Sequence, residues 1–486
     1  MRKHKQMSMK DTKQKLLKNL PAVDAILRHE SAADLKEHFD SHILARLARE
    51  VVQGLREDLT KKKDGGILTA DELMNAAIAR LRKNAKTLMT GGIKKVINAT
   101  GVILHTGLGR AVLSPETRKK LIDIADGYCS LEIDLKSGKR GDRQLHASRL
   151  LQLLTGAEAA CVVNNNAAAV MLVLNTLADR KEVVVSRGEL VEIGGSFRLP
   201  EIIKKSGARL IEVGTTNKTR ARDYVKAITT KTAILLKVHQ SNYRIKGFTE
   251  EASLKEIVEI GDAHEIPVVH DLGGGILINL KRFGLPEEPM VEDSMKAGAA
   301  LATFSGDKII GGPQAGIVVG KKKYIDEVLR NPLMRAVRSD KLVLSLLESS
   351  LKIFLNSQTA MQQHAILRML SEPINIVETR ARKIAGMLND ISDLEIVVTM
   401  STAEAGSGAL PVELLPSFAV GIKSTRYSDT ALAAGLRQAE PAVIAYTRDG
   451  WLWMDARTIA EDEIIHAVGA VKQLHDARVN PQSSRT

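Results

Sequence analysis

The sequence predicts an α/β fold built on a mostly parallel sheet that is covered by helices on both faces. Short apolar runs rich in β-branched residues alternate with helix-period segments after Ile97, and polar or glycine-rich loops directly follow several of these runs. This alternation is typical of parallel sheets, which hold ligands at the carboxyl ends of their strands. The expected strands are Glu182–Ser186, Arg209–Val213, Ala233–Val238, Pro267–Asp271, Leu301–Ser305 and Gly316–Val319, and the expected helices include Ala167–Leu177, Glu192–Lys205 and Leu254–His264.

The chain is expected to contain several domains, because 486 residues exceed the size of one ordinary domain. Thr69 and Glu72 form a plausible capping box for a helix from Ala70 to about Leu88. The expected segments are a basic leader at 1–19, a helical N-terminal domain at 20–68, a helical linker at 69–96, the sheet domain at 97–345, a small α+β domain at 346–478 and a tail at 479–486.

Composition excludes some classes of protein. No apolar run is long enough for a membrane span, and the N-terminus lacks the apolar stretch of a secretion signal, so we expect a cytoplasmic protein with no membrane partner. Cys129 and Cys161 stand outside any CxxC pair or histidine cluster, so no metal site is expected.

Positive charge is concentrated near the N-terminus. Residues 1–100 hold 21 Lys and Arg against 12 Asp and Glu, which supplies +9 of the +13 net charge. This asymmetry indicates a polyanionic partner, and the alternative for the leader is a solvated, partly disordered segment. Because aromatic residues make up only 3% of the chain, a nucleic acid would be recognised through phosphates and shape.

The first candidate site feature is the triplet Asn164-Asn165-Asn166, which follows an apolar strand and opens an alanine-rich helix. Asparagine favours N-cap positions, and the free N–H groups at a helix start form an anion site. Asn165, Asn166 and Ala167 are therefore candidates to hold a phosphate. An N-cap without a ligand is the common alternative.

The second feature is Asp271, which ends an apolar strand and precedes Leu272-Gly273-Gly274-Gly275. A partly desolvated aspartate keeps its charge most readily beside a cation, such as a protonated pyridine nitrogen. A helix cap or a metal ligand is the alternative reading of this residue.

The third feature is Ser305-x-x-Lys308, which lies at the end of the following expected strand and precedes Gly311-Gly312-Pro313. A lysine at a strand end in a covered sheet can have a lowered pKa and form an imine as a neutral amine. Ser305 lies one turn away and is a candidate to contact the phosphate of a cofactor.

Together these features occur in the order of the aspartate-aminotransferase-like (fold-type I) enzymes that use pyridoxal 5′-phosphate (PLP). We therefore expect PLP as a Schiff base on Lys308, with Asp271 beside its ring nitrogen. His239 and Asn242 lie in the loop before the Asp271 strand. His239 is a candidate cofactor contact and Asn242 a candidate active-site residue, with a purely structural loop as the alternative.

Three arginines are candidates for a second anion site. Arg335 and Arg338 are three residues apart and would face the same way on a helix, which suits bidentate contacts to a phosphate-like anion. Arg110, after a Gly-x-Gly turn, is the third. Ion-paired surface residues are the alternative.

Several longer stretches match one family, and at these residues the sequence resembles the bacterial selenocysteine synthases, the L-seryl-tRNA(Sec) selenium transferases. The sequence departs from the family at Gly274, where a serine is expected, and at Gln144, where an aromatic residue or histidine is more usual. The matching stretches include Ile97-Asn98-Ala99-Thr100-Gly101-Val102, Gly138-Lys139-Arg140-Gly141-Asp142-Arg143, the asparagine triplet, Ser186-Arg187-Gly188-Glu189-Leu190-Val191, Glu212-Val213-Gly214-Thr215-Thr216-Asn217, the Lys308 motif and the Arg335/Arg338 pair.

The resemblance implies a transferase of selenocysteine biosynthesis, a branch of protein biosynthesis. It would convert seryl-tRNA(Sec) and selenophosphate to selenocysteinyl-tRNA(Sec) and phosphate through a PLP-bound aminoacrylyl-tRNA intermediate. PLP over Asp271 would supply the electron sink, freed Lys308 would act as the base, and Arg110, Arg335 and Arg338 would bind selenophosphate. The basic N-terminal residues would bind tRNA, with no DNA partner. Family members assemble from dimers into homodecamers, so a large homo-oligomer is implied.

Two other functions stay open at this point. A PLP-dependent ammonia lyase or β-eliminating lyase acting on a small phosphorylated substrate would use the same lysine and arginines, but shorter relatives of that kind lack the module at residues 20–90. A non-catalytic RNA-binding protein on a PLP fold would have no need of Lys308 and Asp271.

Overall fold

The computed structural model describes residues 17–61, 69–193, 197–406, 408, 410 and 414–476. It divides the chain into two compact units, Met1–Lys95 and Val96–Thr486. Most of the expected leader and the whole of the expected tail at 479–486 lie outside the described residues. None of the helices in the described ranges is both long and apolar enough to cross a lipid bilayer.

The N-terminal unit contains helices α1 (Val23–Arg28), α2 (Ser41–Lys61) and α3 (Ala70–Thr90). The predicted capping box at the start of α3 is confirmed, because Thr69 Oγ1 accepts from the backbone N–H of Glu72 and the Glu72 carboxylate accepts from the N–H of Thr69. The segment expected to be a linker therefore contributes a helix to this unit. Its apolar face packs in the same core as α2, through residues at helical spacing: Leu44, Leu47, Ala48, Val51, Leu55, Ala77, Ile78, Leu81 and Ala85.

The large unit combines strands and helices. The strands are β1 (Val96–Asn98), β2 (Val102–Leu104), β3 (Ala159–Val163), β4 (Glu182–Ser186), β5 (Glu192–Ile193), β6 (Phe197–Arg198), β7 (Arg209–Val213), β8 (Thr232–Val238), β9 (Val268–Gly273), β10 (Leu301–Ser305), β11 (Gly316–Gly320), β12 (Leu394–Gly406), β13 (Leu414–Ser424), β14 (Ala442–Ile444), β15 (Tyr446–Arg448) and β16 (Trp451–Asp455). The helices are α4 (Pro115–Ala125), α5 (Leu145–Thr155), α6 (Asn166–Ala178), α7 (Leu199–Lys205), α8 (Ala221–Ala227), α9 (Leu254–Ala263), α10 (Val291–Lys296), α11 (Lys322–Arg330), α12 (Leu333–Val337), α13 (Lys341–Ile353), α14 (Ser357–Gln363), α15 (Ala365–Ser371), α16 (Ile374–Leu388), α17 (Asp429–Leu436) and α18 (Ile464–Asp476).

The main sheet has seven strands in the order β3-β11-β10-β9-β8-β4-β7. Its strands pair in parallel except at β11, which runs antiparallel to both β3 and β10. Apolar side chains from both faces of the sheet are buried under helices, which explains why the strands read as continuous apolar runs. The six expected strands are confirmed, each to within two residues at either end.

A second sheet has five strands in the order β15-β16-β13-β12-β2. Its β2 strand precedes the main sheet in the chain, and β1 likewise pairs with β14. The start of the large unit therefore pairs with its C-terminal part. Helices α16, α17 and α18 contribute to the core formed around these strands.

The expected helix Glu192–Lys205 is wrong at its start. Strands β5 and β6 pair antiparallel instead, with Glu192 opposite Arg198, and the helix begins only at Leu199. Pro200 explains the late start, because a proline fits the first turn of a helix but not its interior.

Candidate active site

A cavity of about 220 Å³ lies at the carboxyl ends of β3, β9 and β10, where a parallel sheet of this kind holds its ligands. Most of the residues singled out from the sequence line it. They are Arg110, Asn165, Asn166, Ala167, His239, Asp271, Ser305 and Lys308, and the lining also includes Val191, Ile193, Val238, Ser241, Gly273, Asp307 and Gln314.

Lys308 follows β10 and is only 5% exposed. Burial lowers the pKa of its amine, the positive charge of Arg110 lowers it further, and Asp271 and Asp307 act in the opposite direction. A Cβ built on Gly408 would lie 2.1 Å from Lys308 Nζ, so a side chain at residue 408 would displace the amine from its present position. A buried amine of lowered pKa is suited to act as a nucleophile or a base.

Asp271 lies near the end of β9 and is buried. Its Oδ1 accepts hydrogen bonds from Asn166 Nδ2 at 2.9 Å, Thr303 Oγ1 at 3.0 Å and the backbone N–H of Gly273 at 3.3 Å. Burial raises the pKa of Asp271, and the hydrogen bonds from Asn166 and Thr303 oppose that rise. The carboxylate is therefore fixed in position and is best kept charged by a cation in the cavity.

The asparagine triplet forms the start of α6. Asn165 caps the helix, since its Oδ1 accepts from the backbone N–H of Ala168 at 2.9 Å. Asn166 turns its amide toward Asp271 instead, and its Oδ1 is buried with no hydrogen-bond partner among the described residues. Gly316 leaves room for the backbone at the start of α6, because a Cβ at residue 316 would lie 2.0 Å from the carbonyl oxygen of Asn165. A helix N-terminus at the cavity wall favours an anion.

The loop after β8 is held on two sides. The backbone N–H of His239 donates to the carbonyl of Asp271 at 2.8 Å, and its Nε2 lies 2.8 Å from the buried Glu288 carboxylate. Asn242, by contrast, donates to the carbonyl of Glu192 at 2.9 Å and is not among the residues that line the cavity. His239 is therefore available to a ligand in this cavity, and Asn242 holds the loop.

Glu189 also fixes the start of the loop after β8. Its carboxylate accepts from Lys237 Nζ at 2.7 Å and from the backbone N–H of Val238 at 2.8 Å. No role was predicted from the sequence for Glu189 or for Thr303. Thr303 had a detectable signal: it is a hydroxyl residue in an otherwise apolar strand, two residues before Ser305 and thus on the same face of β10.

The three candidate arginines do not all line this cavity. Arg110 lines the cavity and forms an ion pair with Asp307 at 2.7 Å. Arg335 lies on α12 and is exposed, but the expectation that Arg338 shares its helix face is wrong, because α12 ends at Val337 and Arg338 has extended backbone. Neither Arg335 nor Arg338 lines this cavity.

Arg338 lies instead in an arginine-rich region. The pKa of Arg338 is lowered by burial and then by the positive charges of Arg143, Arg335 and Arg140, while Glu132 acts in the opposite direction. Arg143 itself is ion-paired with Glu132. The region is therefore electropositive and suited to an anion.

Both departures from the family pattern have a local explanation. Gln144 is buried, and its Oε1 accepts from the backbone N–H of Val162 at 2.5 Å, so it satisfies a donor of β3. At Gly274 a Cβ would lie 3.2 Å from the carbonyl oxygen of Gly408, which is closer than most side chains tolerate. Neither residue lines the cavity.

Comparison with known proteins adds independent information. The profile of the L-seryl-tRNA selenium transferase family matches residues 96–460. The L-seryl-tRNA(Sec) selenium transferase of Alkaliphilus oremlandii is 42% identical over 465 residues, which cover 95% of this chain and 100% of the relative. The enzyme of the same name from Aquifex aeolicus is 43% identical over 452 residues, covering 92% of this chain and 96% of the relative.

Among solved structures, D-glucosaminate-6-phosphate ammonia-lyase aligns with a TM-score of 0.55 at 20% identity, covering 80% of this chain and 98% of that one. A likeness at this identity concerns the fold alone. The expected fold class, an aspartate-aminotransferase-like α/β fold with a mostly parallel sheet, is confirmed.

Proposed function

The chain belongs to the L-seryl-tRNA selenium transferase family, and from this membership we propose that it transfers selenium from selenophosphate to L-seryl-tRNA(Sec). The resemblance noted in the sequence is thereby confirmed, and the chain is an enzyme of this family. The observation that carries the proposal is identity above 40% along nearly the whole length of relatives that bear this name. The product would be selenocysteinyl-tRNA(Sec), the aminoacyl-tRNA needed for selenoprotein synthesis.

The cavity residues fit PLP. Lys308 supplies a buried amine, Asp271 a fixed carboxylate for a ring cation, and the start of α6 an anion site near Ser305. The unpartnered Oδ1 of Asn166 offers a further acceptor in the same cavity wall. When bound, PLP supplies an electron sink that stabilises negative charge at the α-carbon of an attached amino acid. We therefore propose that Lys308 carries PLP and that Asn165, Asn166, Ala167, Ser305, Asp271 and His239 hold it.

Other steps of the reaction require groups that move protons or bind phosphate. Lys308, with its lowered pKa, can take a proton from the α-carbon of the seryl group as a neutral amine. The Asp271 carboxylate would stabilise the positive charge on the ring nitrogen of bound PLP. Arg110 is the proposed phosphate contact inside the cavity, and Arg335 and Arg338 are proposed contacts from the arginine-rich region.

The tRNA partner is proposed to bind the N-terminal unit, which carries much of the excess positive charge of the chain. Charged residues lie on the exposed faces of α2 and α3, outside the apolar core of this unit. The homodecameric assembly and the cytoplasmic location stay predictions.

The deciding experiment supplies purified enzyme with seryl-tRNA(Sec) and selenophosphate and measures selenocysteinyl-tRNA(Sec) by mass spectrometry of the released amino acid. We expect product with wild-type enzyme and none with Lys308→Ala. Failure of a fully PLP-loaded enzyme to form product would contradict the proposal. Release of ammonia from a phosphorylated amino acid or amino sugar under the same conditions would support a lyase instead.

A further inference from the structure

Asp307 is the residue immediately before Lys308, and its carboxylate faces the cavity. Its Oδ2 accepts from Nη1 of Arg110 at 2.7 Å. The Arg110 and Asp307 side chains are 24% and 11% exposed, so the pair is shielded from water but not sealed from the cavity. When an anion enters the cavity, the Arg110 guanidinium is therefore already ion-paired with the Asp307 carboxylate.

The guanidinium of Arg110 is incompletely used by this pair. Its Nε is buried and has no hydrogen-bond partner among the described residues. Arginine offers five N–H donors in a planar fork that matches a carboxylate or a phosphate through two parallel bonds. One nitrogen thus engages Asp307, while a buried donor of the same fork stays unsatisfied, which costs free energy until an acceptor reaches it.

The backbone of Arg110 is also held in an unusual conformation. Its φ angle is 62°, in the left-handed region that non-glycine residues seldom adopt, and it follows Gly109 at φ 89°. The turn is fixed by a hydrogen bond from the N–H of Arg110 to the carbonyl of His105 at 3.0 Å. Strained backbone of this kind persists where the surrounding structure fixes it, often at ligand sites. The turn directs the guanidinium into the cavity.

We propose that Asp307 is an internal competitor for Arg110, so that a phosphate-like anion binds by displacing the Asp307 carboxylate from the guanidinium. This inference rests on the proposed function, because it takes Arg110 to be part of the selenophosphate site. It assigns Asp307 the role of a positioning residue that acts on Arg110 and weakens the retention of phosphate-like anions, inorganic phosphate included. Phosphate is the second product of the reaction, so rebinding of Asp307 to Arg110 assists its release.

The charge balance around Lys308 supports a competitor at this position. Asp271 and Asp307 both place negative charge near the lysine, and Arg110 places positive charge there. A phosphate-like anion on Arg110 would add negative charge close to the Asp307 carboxylate, and like charges at short range repel. Binding of the anion should therefore weaken the contact between Arg110 and Asp307.

The test measures binding of inorganic phosphate to the PLP-loaded enzyme by calorimetry, without tRNA or selenophosphate. Asp307→Asn keeps the shape of the side chain but removes its charge, and should bind phosphate about tenfold more tightly than wild type, the effect of losing one partly shielded charged competitor. Asp307→Ser is a second variant of the same kind. Sulfate, a tetrahedral anion without phosphorus, should show the same gain, since the competition is for charge and shape.

The matched control is the substitution Asp307→Asn in an Arg110→Ala background. With Arg110 absent, removal of Asp307 should leave phosphate affinity unchanged, because there is nothing to compete for. A gain of equal size in both backgrounds would show a general field effect and overturn the proposal. Equal phosphate affinity of wild type and both Asp307 variants, or no binding to any of them, would also overturn it.

These outcomes are separate from those of the activity assay. If wild-type enzyme forms no selenocysteinyl-tRNA(Sec) but Asp307→Asn tightens phosphate binding through Arg110, the competition stands and the proposed function fails. If product forms and phosphate affinity is unaffected by Asp307, the proposed function stands and the competition fails. In active enzyme, Asp307→Asn should also lower the KM for selenophosphate and lower kcat, because phosphate leaves more slowly.

Discussion

Substitution of Thr303 by valine tests the electrostatic design of the cavity, because it removes one hydrogen-bond donor and almost no volume. Thr303 is fully buried, and its hydroxyl donates to Asp271 Oδ1 at 3.0 Å. A hydrogen bond to a charged group contributes about 1.5–3 kcal/mol. Since Asn166 and Gly273 still donate to the same oxygen in Thr303→Val, the loss should fall toward the lower end of that range.

The stability difference between Thr303→Val and wild type should depend on pH in one direction. Burial raises the pKa of Asp271 above its ordinary value of 3.8, and the Thr303 hydrogen bond opposes this rise, so the pKa rises further in Thr303→Val. In cofactor-free protein, a carboxyl group of raised pKa contributes stability that is present below pH 3.8 and is lost as the pH rises through the raised pKa. The variant should therefore differ most from wild type at neutral pH and least in acid.

Two measurements check this reasoning. Urea unfolding of cofactor-free protein gives the free energy of unfolding, and absorbance titration with PLP gives the cofactor affinity, which should fall about tenfold to hundredfold if Asp271 must be charged to hold the cofactor. Thr303→Ser is the matched control, since it keeps the hydroxyl. The reasoning is refuted if valine and serine variants bind PLP equally well, or if the stability difference between valine variant and wild type is larger in acid than at neutral pH.

Three further predictions follow from the same structure. Lys308→Ala should abolish the visible absorbance of the PLP-loaded enzyme, whereas the exposed-lysine control Lys296→Ala should keep it; an unchanged spectrum in Lys308→Ala would contradict the assignment. Gln144→Met should lower the free energy of unfolding by about 1–3 kcal/mol, because the backbone N–H of Val162 loses its acceptor, and should leave PLP absorbance unaltered; equal stability in urea would count against it. Deletion of residues 1–95, a separate compact unit, should weaken tRNA binding in a filter assay while leaving the PLP spectrum intact, and undiminished tRNA binding would remove the role proposed for that unit.

The main sheet was predictable because its strands are buried on both faces. Residues such as Val183, Val184 and Val185 are all fully buried, and a run of β-branched residues has no period that a helix would impose. The helix expected from Glu192 failed for the opposite reason. A short antiparallel pair has few residues, and its stability comes from tertiary contacts that a window of sequence does not contain.

Within the site, sequence identified the residues whose chemistry is rare at a strand end, above all Lys308 and Asp271. It could not identify their supports. Glu288 contacts His239 across 49 positions of the chain and Thr303 contacts Asp271 across 32, and such pairs are decided by the register between strands and by loop paths. The i,i+3 spacing of Arg335 and Arg338 was misleading because spacing fixes a shared face only where the helix actually continues.

The two aspartates near Lys308 show why identity of side chain does not determine role. Asp271 is held by donors from a side chain of α6, a side chain of β10 and its own backbone segment, so its carboxylate has a fixed position and releasing it would leave three donors unsatisfied. Asp307 accepts a hydrogen bond from one nitrogen of Arg110. The Arg110 guanidinium has other N–H donors, so exchange of Asp307 for a different anion breaks only this one hydrogen bond. The fixed acid suits a permanent cofactor, and the exchangeable acid suits a substrate and product that must enter and leave.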